Sequence, residues 1–455
     1  MTDLEWRKGL TVHPRTARLV LGGAATTLAV AFAAMAALGD LFQSARAFVV
    51  LFGLAFVAYA GAVVWVVRRP PRGGTALGAI LVTGLAFRLL LLPAAPTLST
   101  DLYRYLWDGQ LTVAGMSPYA FPPDAPELAV FRDAVVYPRL NHRDWRTIYP
   151  PGAQLLFAAV AGLWPGEVLA LKLVFLAFDA ALAAGLVGWL RSLGRPAAWV
   201  LVYAWHPLVV VEVAGSGHLD VVAACLSVAA LWAATRGREG GAGALVGLGA
   251  LVKLYPAILL AAVVGRRPGR AVAAAGLVVG AGYALYAGEG ASVLGSLGRY
   301  VAEEEWNPGL QGLLAWGLGP LGSAAPVLAR RGPLVLLGAL AVVIAVRGRG
   351  IIPWRRALWL TGGYLAAVPS LFPWYGLSLV PVLAVAPTWP GLYLAGAVVL
   401  SYLIFAEPVW RLPAWVPVVE YLPVVVGLAL AARSRPRLAA GVGQGEPMTR
   451  MGSPS

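Results

Sequence analysis

The sequence has little charge and almost no cysteine. Only 12% of its 455 residues are charged, whereas an ordinary soluble protein has about 25%, and 59% are hydrophobic, with a mean hydropathy of +0.75. This composition excludes a soluble cytosolic domain, and it excludes a disordered chain, which needs low hydrophobicity and high charge. The single cysteine, Cys225, excludes a disulfide framework and any zinc or iron–sulfur centre built from cysteine.

Lysine is also scarce, although the net charge is +14. Three of the 35 basic residues are lysine and the others are arginine, many of which flank apolar runs. Cationic flanks of this kind orient membrane helices. The positive charge is therefore interpreted as a topology signal, and no nucleic-acid partner is expected.

Several catalytic motifs are missing. The sequence contains no nucleotide-binding glycine motif, no His-Glu-x-x-His pair and no Gly-x-Ser-x-Gly elbow. It also has no soluble region large enough to bind ATP or a nucleotide sugar. An enzyme of this composition must therefore take an activated substrate from the lipid phase.

Long apolar runs make up most of the chain. Because a membrane helix needs about 20 mostly apolar residues, the runs predict an all-α polytopic membrane protein with about 12 transmembrane helices. We expect one domain over residues 1–432 and a disordered cytoplasmic tail over 433–455. A retained first helix is favoured over a cleaved signal peptide, because an equally apolar run follows it. The apolar runs cover residues 19–38, 47–67, 75–98, 168–190, 196–214, 219–234, 242–264, 271–287, 310–329, 334–346, 357–369, 375–386, 392–405 and 416–432.

Arginine clusters predict the orientation. The bases before the first run and the cluster at residues 68–72 mark the cytoplasmic side, two crossings apart. Both termini are then cytoplasmic, the protein lies in the plasma (inner) membrane, and residues 99–150 are extracytoplasmic. The rule leaves the topology of residues 165–360 open. The arginine pairs at 191/195, 236/238 and 266/267 cannot all be cytoplasmic if every apolar run between them crosses the membrane once.

Residues 99–150 form the longest polar stretch, and they hold six of the 21 acidic residues. Their content of Tyr, Trp and Phe argues against disorder, and long ordered connections are usually functional. The stretch opens with a helix predicted from Ser99 to Gly109, on which Asp101, Arg104 and Asp108 share one face. Two interpretations stay open for this helix. It is either a capped surface helix with an Arg104–Asp108 pair, or it presents Asp101 as an ionised general base.

The same stretch ends in a second polar group at residues 141–149. Asn141, His142 and Arg143 precede Trp145 and Tyr149, just before the chain returns to apolar sequence. These residues form either an interfacial collar or a pocket for an anion, since arginine can hold a phosphate with two hydrogen bonds.

Charged residues also occur inside the apolar runs, where they are costly and point to function. For His218, Asp220 and Lys253 a functional role is favoured, and Glu212 lies near them in the sequence. For Lys172 and Asp179, contacts between helices are favoured instead. Trp374 and Tyr375 follow Pro373 at a break in a late apolar run, which alone could be a simple interfacial corner.

The order of these residues carries a family resemblance. The series Asp101-x-Tyr103-Arg104-Tyr105-x-Trp107-Asp108-Gly109, Gly115-x-Ser117-Pro118-Tyr119, Asn141-His142, Thr147-Ile148-Tyr149-Pro150-Pro151, His206-Pro207, Gly217-His218-x-Asp220, Lys253-Leu254-Tyr255-Pro256 and Pro373-Trp374-Tyr375 resembles integral-membrane glycosyltransferases of the GT-C class. The nearest group is glycosyltransferase family 87, with its polyprenol-phosphate-mannose-dependent mannosyltransferase relatives.

The resemblance implies a function for the whole set. It implies an inverting hexosyltransferase, mannose being the commonest choice among the relatives, with a polyprenyl-phosphate sugar as donor and a glycan or lipid as acceptor. It also implies that Asp101 is the general base, and no cofactor is required. The candidates for contact with the leaving phosphate are Lys253, His218, Arg104 and Arg143, in that order. The full set of expected substrate-binding residues is Arg104, Asp108, Tyr119, Asn141, His142, Arg143, Tyr149, His218, Asp220, Lys253, Tyr255, Trp374 and Tyr375.

Two alternatives stay open. Asp108 and Asp220 suit either sugar hydroxyls or a divalent cation. A polytopic transporter or a flippase for a lipid-linked substrate is the competing function, although such proteins tend to show paired repeats and the sequence shows none.

Overall fold

Helices form all the regular structure in the described part of the chain. The structure, a computed structural model, describes residues 14–71 and 73–433, so the bases at positions 7, 8 and 72 and the predicted tail after Arg433 lie outside the described residues. The α-helices are α1 Pro14–Ala37, α2 Ala45–Arg68, α3 Gly74–Leu91, α4 Asp101–Val113, α5 Pro151–Leu163, α6 Val168–Ser192, α7 Leu201–Ala204, α8 Pro207–Val210, α9 Asp220–Thr235, α10 Glu239–Val252, α11 Leu260–Val263, α12 Pro268–Ala284, α13 Leu297–Glu303, α14 Gly309–Gly317, α15 Ala324–Arg347, α16 Pro353–Ala367, α17 Val380–Val385, α18 Trp389–Ala397 and α19 Trp415–Arg433. A π-helical turn covers Val211–Gly215, and 3₁₀ segments include Tyr255–Leu259, Ala287–Leu294, Pro373–Ser378 and Val398–Ala406.

Six of the helical segments in the described residues are long and apolar enough to cross a membrane. The number rises to eight if two bent pairs each count as one span, and five further apolar helices are shorter. The protein is therefore an all-helical membrane protein over its described residues, while the figure of about 12 crossings stays a prediction. The six segments are Thr16–Ala37, Ala45–Arg68, Gly74–Leu91, Val168–Ser192, Ala324–Gly350 and Trp389–Ala406.

The apolar run at 242–264 does not form one continuous helix. Helix α10 ends at Val252, Lys253 has an extended backbone, and a 3₁₀ segment and α11 follow. Pro256 contributes to the break, because it has no amide hydrogen to continue the helical bonds. The chain then turns back, since the Arg267 amide donates to Glu239 Oε2 over 2.9 Å near the start of α10.

This reversal relates two of the three arginine pairs, those at 236/238 and 266/267. Because the chain leaves and returns between Arg238 and Arg266, those two residues lie at the same end of the bundle. The prediction of a single span over 242–264 was wrong, and the reason is local: Pro256 breaks a run whose hydropathy alone suits one helix. Lys253 consequently lies at the tip of a hairpin, close to α9.

One end of the bundle gathers several chain segments, and we call it the site face. The Leu41 amide in the α1–α2 turn donates to Thr97 Oγ1, after α3, over 2.9 Å. Arg46, at the start of α2, donates to the Ala406 carbonyl over 3.2 Å. The start of α2, the residues after α3 and the end of the span Trp389–Ala406 therefore share this face.

The opposite end of the bundle carries Arg68 and Arg69. Helix α1 also begins there, because it ends next to the site face. In α19, Gly427 packs so closely against Pro390 that a Cβ atom on the glycine would lie 3.0 Å from the Pro390 ring. Since Pro390 is at the far end of its span from the site face, α19 ends beside the Arg68 end. The described chain therefore begins and ends at the same face.

Polar contacts fix α3 against α6 inside the bundle. Arg88 forms two hydrogen bonds to Asp179, from Nε to Oδ2 over 2.5 Å and from Nη2 to Oδ1 over 3.1 Å. Both side chains are 3% exposed. Lys172 donates to the carbonyls of Leu92 and Ala94, at 3.2 and 2.6 Å. The expectation of contacts between helices for Lys172 and Asp179 is confirmed, although their partners lie on and after α3 rather than on each other. These contacts fix the chain just before Asp101.

Candidate active site

Helix α4 begins at Asp101, on the site face. The residue that caps α4 is Thr100, whose side chain makes no capping bond, so the prediction of Ser99 as the N-cap was wrong, as was the predicted end at Gly109. Ser99 still supports the start of the helix, because its Oγ accepts a bond from the Asp101 amide over 3.2 Å. Gly109 serves close packing instead, because a Cβ atom there would lie 2.5 Å from the Phe157 carbonyl oxygen on α5. The helix continues to Val113.

Arg104 and Asp108 form a buried pair on α4. Arg104 Nε donates to Asp108 Oδ1 over 2.9 Å, and another guanidinium nitrogen donates to the Trp145 carbonyl over 3.0 Å. The other Asp108 oxygen accepts bonds from Thr147 and from Gln154, the latter at 3.2 Å. The predicted ion pair is therefore present, but it joins α4 to the end of the polar segment and to α5 instead of facing solvent.

Asp101 lies apart from that network and stays partly accessible. Its side chain is 17% exposed, and its Oδ1 accepts a 2.9 Å bond from Asn141, which lies 40 residues away in the sequence. Burial raises the pKa of Asp101 above its usual range, and the positive charge of Lys253 and the Asn141 bond oppose that rise. The two polar halves of residues 99–150 thus meet at this carboxylate.

A carboxylate–ammonium pair lies beside Asp101. Lys253 Nζ is 2.6 Å from Asp220 Oδ2, and the ammonium lies 5.1 Å from the centre of the Tyr375 ring. Asp220 is the first residue of α9 and Lys253 directly follows α10, so the pair joins two helix ends. The Asp220 side chain is 1% exposed and the Lys253 side chain is 17% exposed. The cation, not its partner, is the accessible member.

His218 lies between the two carboxyl groups of Asp101 and Glu212. Its Nδ1 is 4.0 Å from Asp101 Oδ2, its Nε2 is 3.4 Å from Glu212 Oε2, and its ring stacks on Trp374 at 4.0 Å. Burial, and then the charge of Lys253, lower the pKa of His218 well below its usual range, so the ring is neutral. Gly217, which directly precedes His218, has a φ of +74° and turns the chain toward α9.

Tyrosine rings line the side of the cluster that carries Lys253. Tyr375 bonds through its hydroxyl to Tyr300, and Tyr255 stacks on Tyr364 at 5.5 Å, with Tyr364 5.8 Å from Tyr375. Sequence reasoning missed Tyr300 and Tyr364. Tyr364 lies in helix α16 without a nearby acid, whereas Tyr300 lies between Arg299 and Glu303, a short polar stretch that could have drawn attention to it. The fold brings both tyrosines to the site.

Two further tyrosines belong to the supporting structure of the polar segment. The Tyr119 hydroxyl donates to the Tyr149 carbonyl over 2.7 Å, and the Tyr149 ring packs edge-on against Tyr105 at 5.0 Å. Tyr149 lies close enough to Asp101 that its hydroxyl bond helps to offset the pKa rise of that carboxyl. Tyr119 therefore holds Tyr149, and Tyr149 reaches the cluster.

His142 and Arg143 occupy the outer rim. The His142 ring stacks on Trp145 at 4.2 Å, and its Nε2 is 3.3 Å from Glu304 Oε2. Arg143 donates to the Pro138 carbonyl, and its guanidinium lies 5.0 Å from the centre of the Tyr137 ring. Of the four cations or imidazoles considered for a phosphate, only Lys253 and His218 lie in the cluster with Asp101.

Comparison with protein families supports the resemblance seen in the sequence. The model of glycosyltransferase family 87 matches residues 147–369, almost half of the chain. This match supports a GT-C-like membrane protein of glycosyltransferase family 87. Comparison with curated proteins and with solved structures found no significant match.

The matched region of this glycosyltransferase holds His218, Asp220, Lys253 and Tyr255, whereas Asp101 precedes it. The structure nevertheless brings Asp101 within 4.0 Å of His218. The family match and the polar segment before it therefore contribute to one cluster on the site face.

Asp108 and Asp220, the two residues considered for a divalent cation, each have a cationic partner. Asp108 pairs with Arg104 and Asp220 with Lys253. Within the described ranges, no group of three or more His, Cys, Asp and Glu side chains is arranged to hold a metal ion. In this glycosyltransferase the two aspartates thus lie in separate ion pairs.

Proposed function

We propose that this family 87 glycosyltransferase moves a hexose, mannose foremost, from a polyprenyl-phosphate sugar to a hydroxyl of a glycan or lipid acceptor. The observation that carries the proposal is a partly exposed carboxylate, Asp101, in one cluster with a partly exposed ammonium, Lys253. Such a transfer needs a base for the attacking hydroxyl and a positive group for the leaving phosphate.

Accessibility supports Asp101 as the base. Of the three carboxyl groups in the cluster, the Asp101 side chain is 17% exposed, whereas those of Asp220 and Glu212 are 1% and 0% exposed. An acceptor hydroxyl can therefore approach Asp101 only. The acceptor oxygen attacks the anomeric carbon, the bond from that carbon to the phosphate oxygen breaks, and the hydroxyl proton passes to Asp101. A single displacement inverts the anomeric centre.

Lys253 is the favoured partner of the leaving phosphate. Its ammonium is held by Asp220 but keeps an accessible side, and the hairpin tip directs it toward the cluster. Charge on the departing phosphate grows as the bond breaks, so a fixed cation stabilises the transition state more than the ground state. His218 is the second candidate, whereas Arg104 is bonded to Asp108 and Arg143 lies on the rim.

The positions of the arginines support an extracytoplasmic site. Arg68 and Arg69 lie at the end of the bundle opposite the site face, and Arg433 ends α19 at their side. Since cytoplasmic flanks carry the excess of arginine, the site face is assigned to the outside and both termini to the cytoplasm. The donor then enters from the outer leaflet.

A transfer assay with a matched pair of variants tests the proposal. The purified full-length protein is incubated in nanodiscs with polyprenyl-phosphate mannose, glucose or galactose and with membrane glycolipid acceptors, and the released polyprenyl phosphate and the anomeric configuration of the product are measured. Asp101→Asn is expected to reduce the rate by about two to four orders of magnitude, as the loss of a general base does. Asp124→Asn, an exposed aspartate of the same segment, serves as the control and keeps the wild-type rate.

Two results would contradict the proposal. Full activity of Asp101→Asn would remove this residue as the base. Movement of intact donor across the bilayer without release of polyprenyl phosphate would instead favour the flippase alternative.

A further inference from the structure

A line of polar groups runs inward from Asp101 into the bundle. Asp101 Oδ2 faces His218 Nδ1 at 4.0 Å, His218 Nε2 faces Glu212 Oε2 at 3.4 Å, and the Tyr402 hydroxyl donates to Glu212 Oε1 over 2.9 Å. The His218 and Glu212 side chains are 1% and 0% exposed. Only the outer end of the line, Asp101, is accessible.

The inner part of this line contains polar atoms without assigned partners. Neither nitrogen of His218 makes a hydrogen bond of normal geometry within the described residues, and neither does Glu212 Oε2. Unsatisfied buried polar atoms are rare and costly. Since Glu212 Oε2 and His218 Nε2 face each other at 3.4 Å, the simplest way to satisfy both is a shared proton.

Glu212 supplies that proton. It has no salt bridge to Lys or Arg among the described residues, and a fully buried carboxylate without a cation is strongly disfavoured relative to the neutral acid. Its Oε1 already accepts the Tyr402 bond, so the acid hydrogen belongs on Oε2, facing His218.

A neutral imidazole has one N–H group and one acceptor nitrogen. If Nε2 accepts a hydrogen bond from the protonated Oε2 of Glu212, the hydrogen of His218 must be on Nδ1. That hydrogen is then on the nitrogen that lies 4.0 Å from Asp101 Oδ2. The 4.0 Å separation is longer than a hydrogen bond, and contacts of this kind tighten when substrate binds.

We propose that Glu212 acts as a positioning residue, which as a neutral acid holds His218 in the Nδ1–H tautomer and thereby keeps Asp101 ionised and oriented as the base. The inference rests on the proposed function for its catalytic consequence, but the tautomer itself does not depend on turnover. Tyr402 and Trp374 complete the support, one by fixing Glu212 and the other by stacking on the imidazole.

The tautomer is measured by nitrogen NMR on the full-length protein. Histidine labelled with ¹⁵N is incorporated, and the His218 signals are assigned with His218→Gln, since the chain has only four histidines. We expect the neutral Nδ1–H form in the wild type and in Glu212→Gln, whose amide N–H also donates to Nε2. Glu212→Met, which has no donor, should lose that form in favour of Nε2–H.

Kinetics separate a positioning role from a purely structural one. Glu212→Gln should keep the kcat for sugar transfer within a few-fold of wild type, whereas Glu212→Met should lower kcat by roughly 10- to 100-fold, by analogy with partners that orient a metal-binding histidine. The donor KM should change little, because Glu212 does not reach the substrate. Folding of each variant is checked by its size-exclusion profile and thermal transition.

The outcomes are separable. An Nε2–H or imidazolium form of His218 in the wild type overturns the inference, and so does a wild-type kcat in a folded Glu212→Met. If Glu212→Met fails to fold, the wild-type and Glu212→Gln spectra still decide. If no polyprenyl-phosphate sugar is turned over but His218 is the Nδ1–H form, the proposed function fails and the tautomer assignment stands.

Discussion

The bond from Asn141 to Asp101 gives a sharp prediction for the pH dependence of sugar transfer. A carboxylate base works only when ionised, and burial raises the pKa of Asp101, so activity should fall as the pH drops through that raised pKa. The Asn141 bond favours the ionised form and opposes the rise. The variant Asn141→Leu removes this donor. It must therefore raise the pKa of Asp101 further and move the acidic limb of the kcat/KM profile to higher pH.

The size of this effect follows from the 2.9 Å bond. A hydrogen bond to a charged group contributes about 1.5–3 kcal/mol. Because about 1.36 kcal/mol corresponds to one pH unit, the limb should move by about one to two units. The partial exposure of Asp101 lets water replace some of the lost interaction, so about one unit is expected. The rate on the alkaline plateau should change much less than the rate at the acidic end.

A graded series makes the test sharper. Asn141→Asp places a second carboxyl group against Asp101, and two adjacent carboxyl groups cannot both ionise easily, so its limb should move further than that of Asn141→Leu. Asp124→Asn is the control and should keep the wild-type profile. The assay measures initial rates of polyprenyl-phosphate release at acceptor concentrations well below KM, where the rate reports kcat/KM, from acidic to neutral pH. Identical acidic limbs in the wild type and both Asn141 variants would refute Asp101 as the group whose ionisation governs the rate.

Three further variants test other parts of the structure. Arg88→Met leaves Asp179 as an uncompensated buried charge, so the free energy of unfolding should fall by about 3–5 kcal/mol, measured by denaturation in detergent. Gly217→Ala adds a Cβ atom 2.4 Å from Leu102, next to Asp101, at a φ unfavourable for alanine, and misplacement of the base should reduce kcat by about 100-fold in a transfer assay. Lys253→Met removes the cation proposed to stabilise the leaving phosphate and should reduce kcat by about 10²–10³-fold.

Each of these variants has a matched control. Arg68→Met, which removes an exposed arginine, is the control for Arg88→Met, and Arg349→Met, which removes another, is the control for Lys253→Met. Gly276→Ala is the control for Gly217→Ala, because its Cβ atom has no other atom within 4 Å. These controls should stay close to wild type in stability and rate. An equally large loss of stability in Arg68→Met would contradict the role of the Arg88 pair, and unchanged kcat in Gly217→Ala or Lys253→Met would contradict the geometry proposed for the site.

Many of the residues of the cluster could be found from the sequence because they are chemically out of place. His218, Asp220 and Lys253 interrupt apolar runs, where a charged or polar side chain is costly and so points to function. Asp101 was found because it opens the one long polar segment. The resemblance to glycosyltransferase family 87, which depends on the order of these motifs, was confirmed by the match over residues 147–369.

The contacts among those residues could not be found in the same way. The Arg104–Asp108 pair was predicted from its helical spacing. The spacing does not show that α5 and residues 145–147 pack over the pair and bury it. Tyr300 reaches Tyr375 only because the chain bends by 108° between Ala284 and Ala287. The covering has no local sequence signal. The bend lies where the apolar run 271–287 ends, but the sequence does not give its direction or its angle.

The sequence by itself determined the environment and the chemical inventory of this protein: membrane helices, one polar segment, and a small set of acids, bases and aromatic residues. These follow from hydropathy and residue type, which are properties of each short stretch of chain. Only the tertiary structure decided that Asn141 bonds to Asp101, that Lys253 lies at a hairpin tip, and that His218 separates two carboxyl groups. Such contacts depend on how helices far apart in the chain pack together, and local periodicity fixes only the face of a helix on which a residue lies.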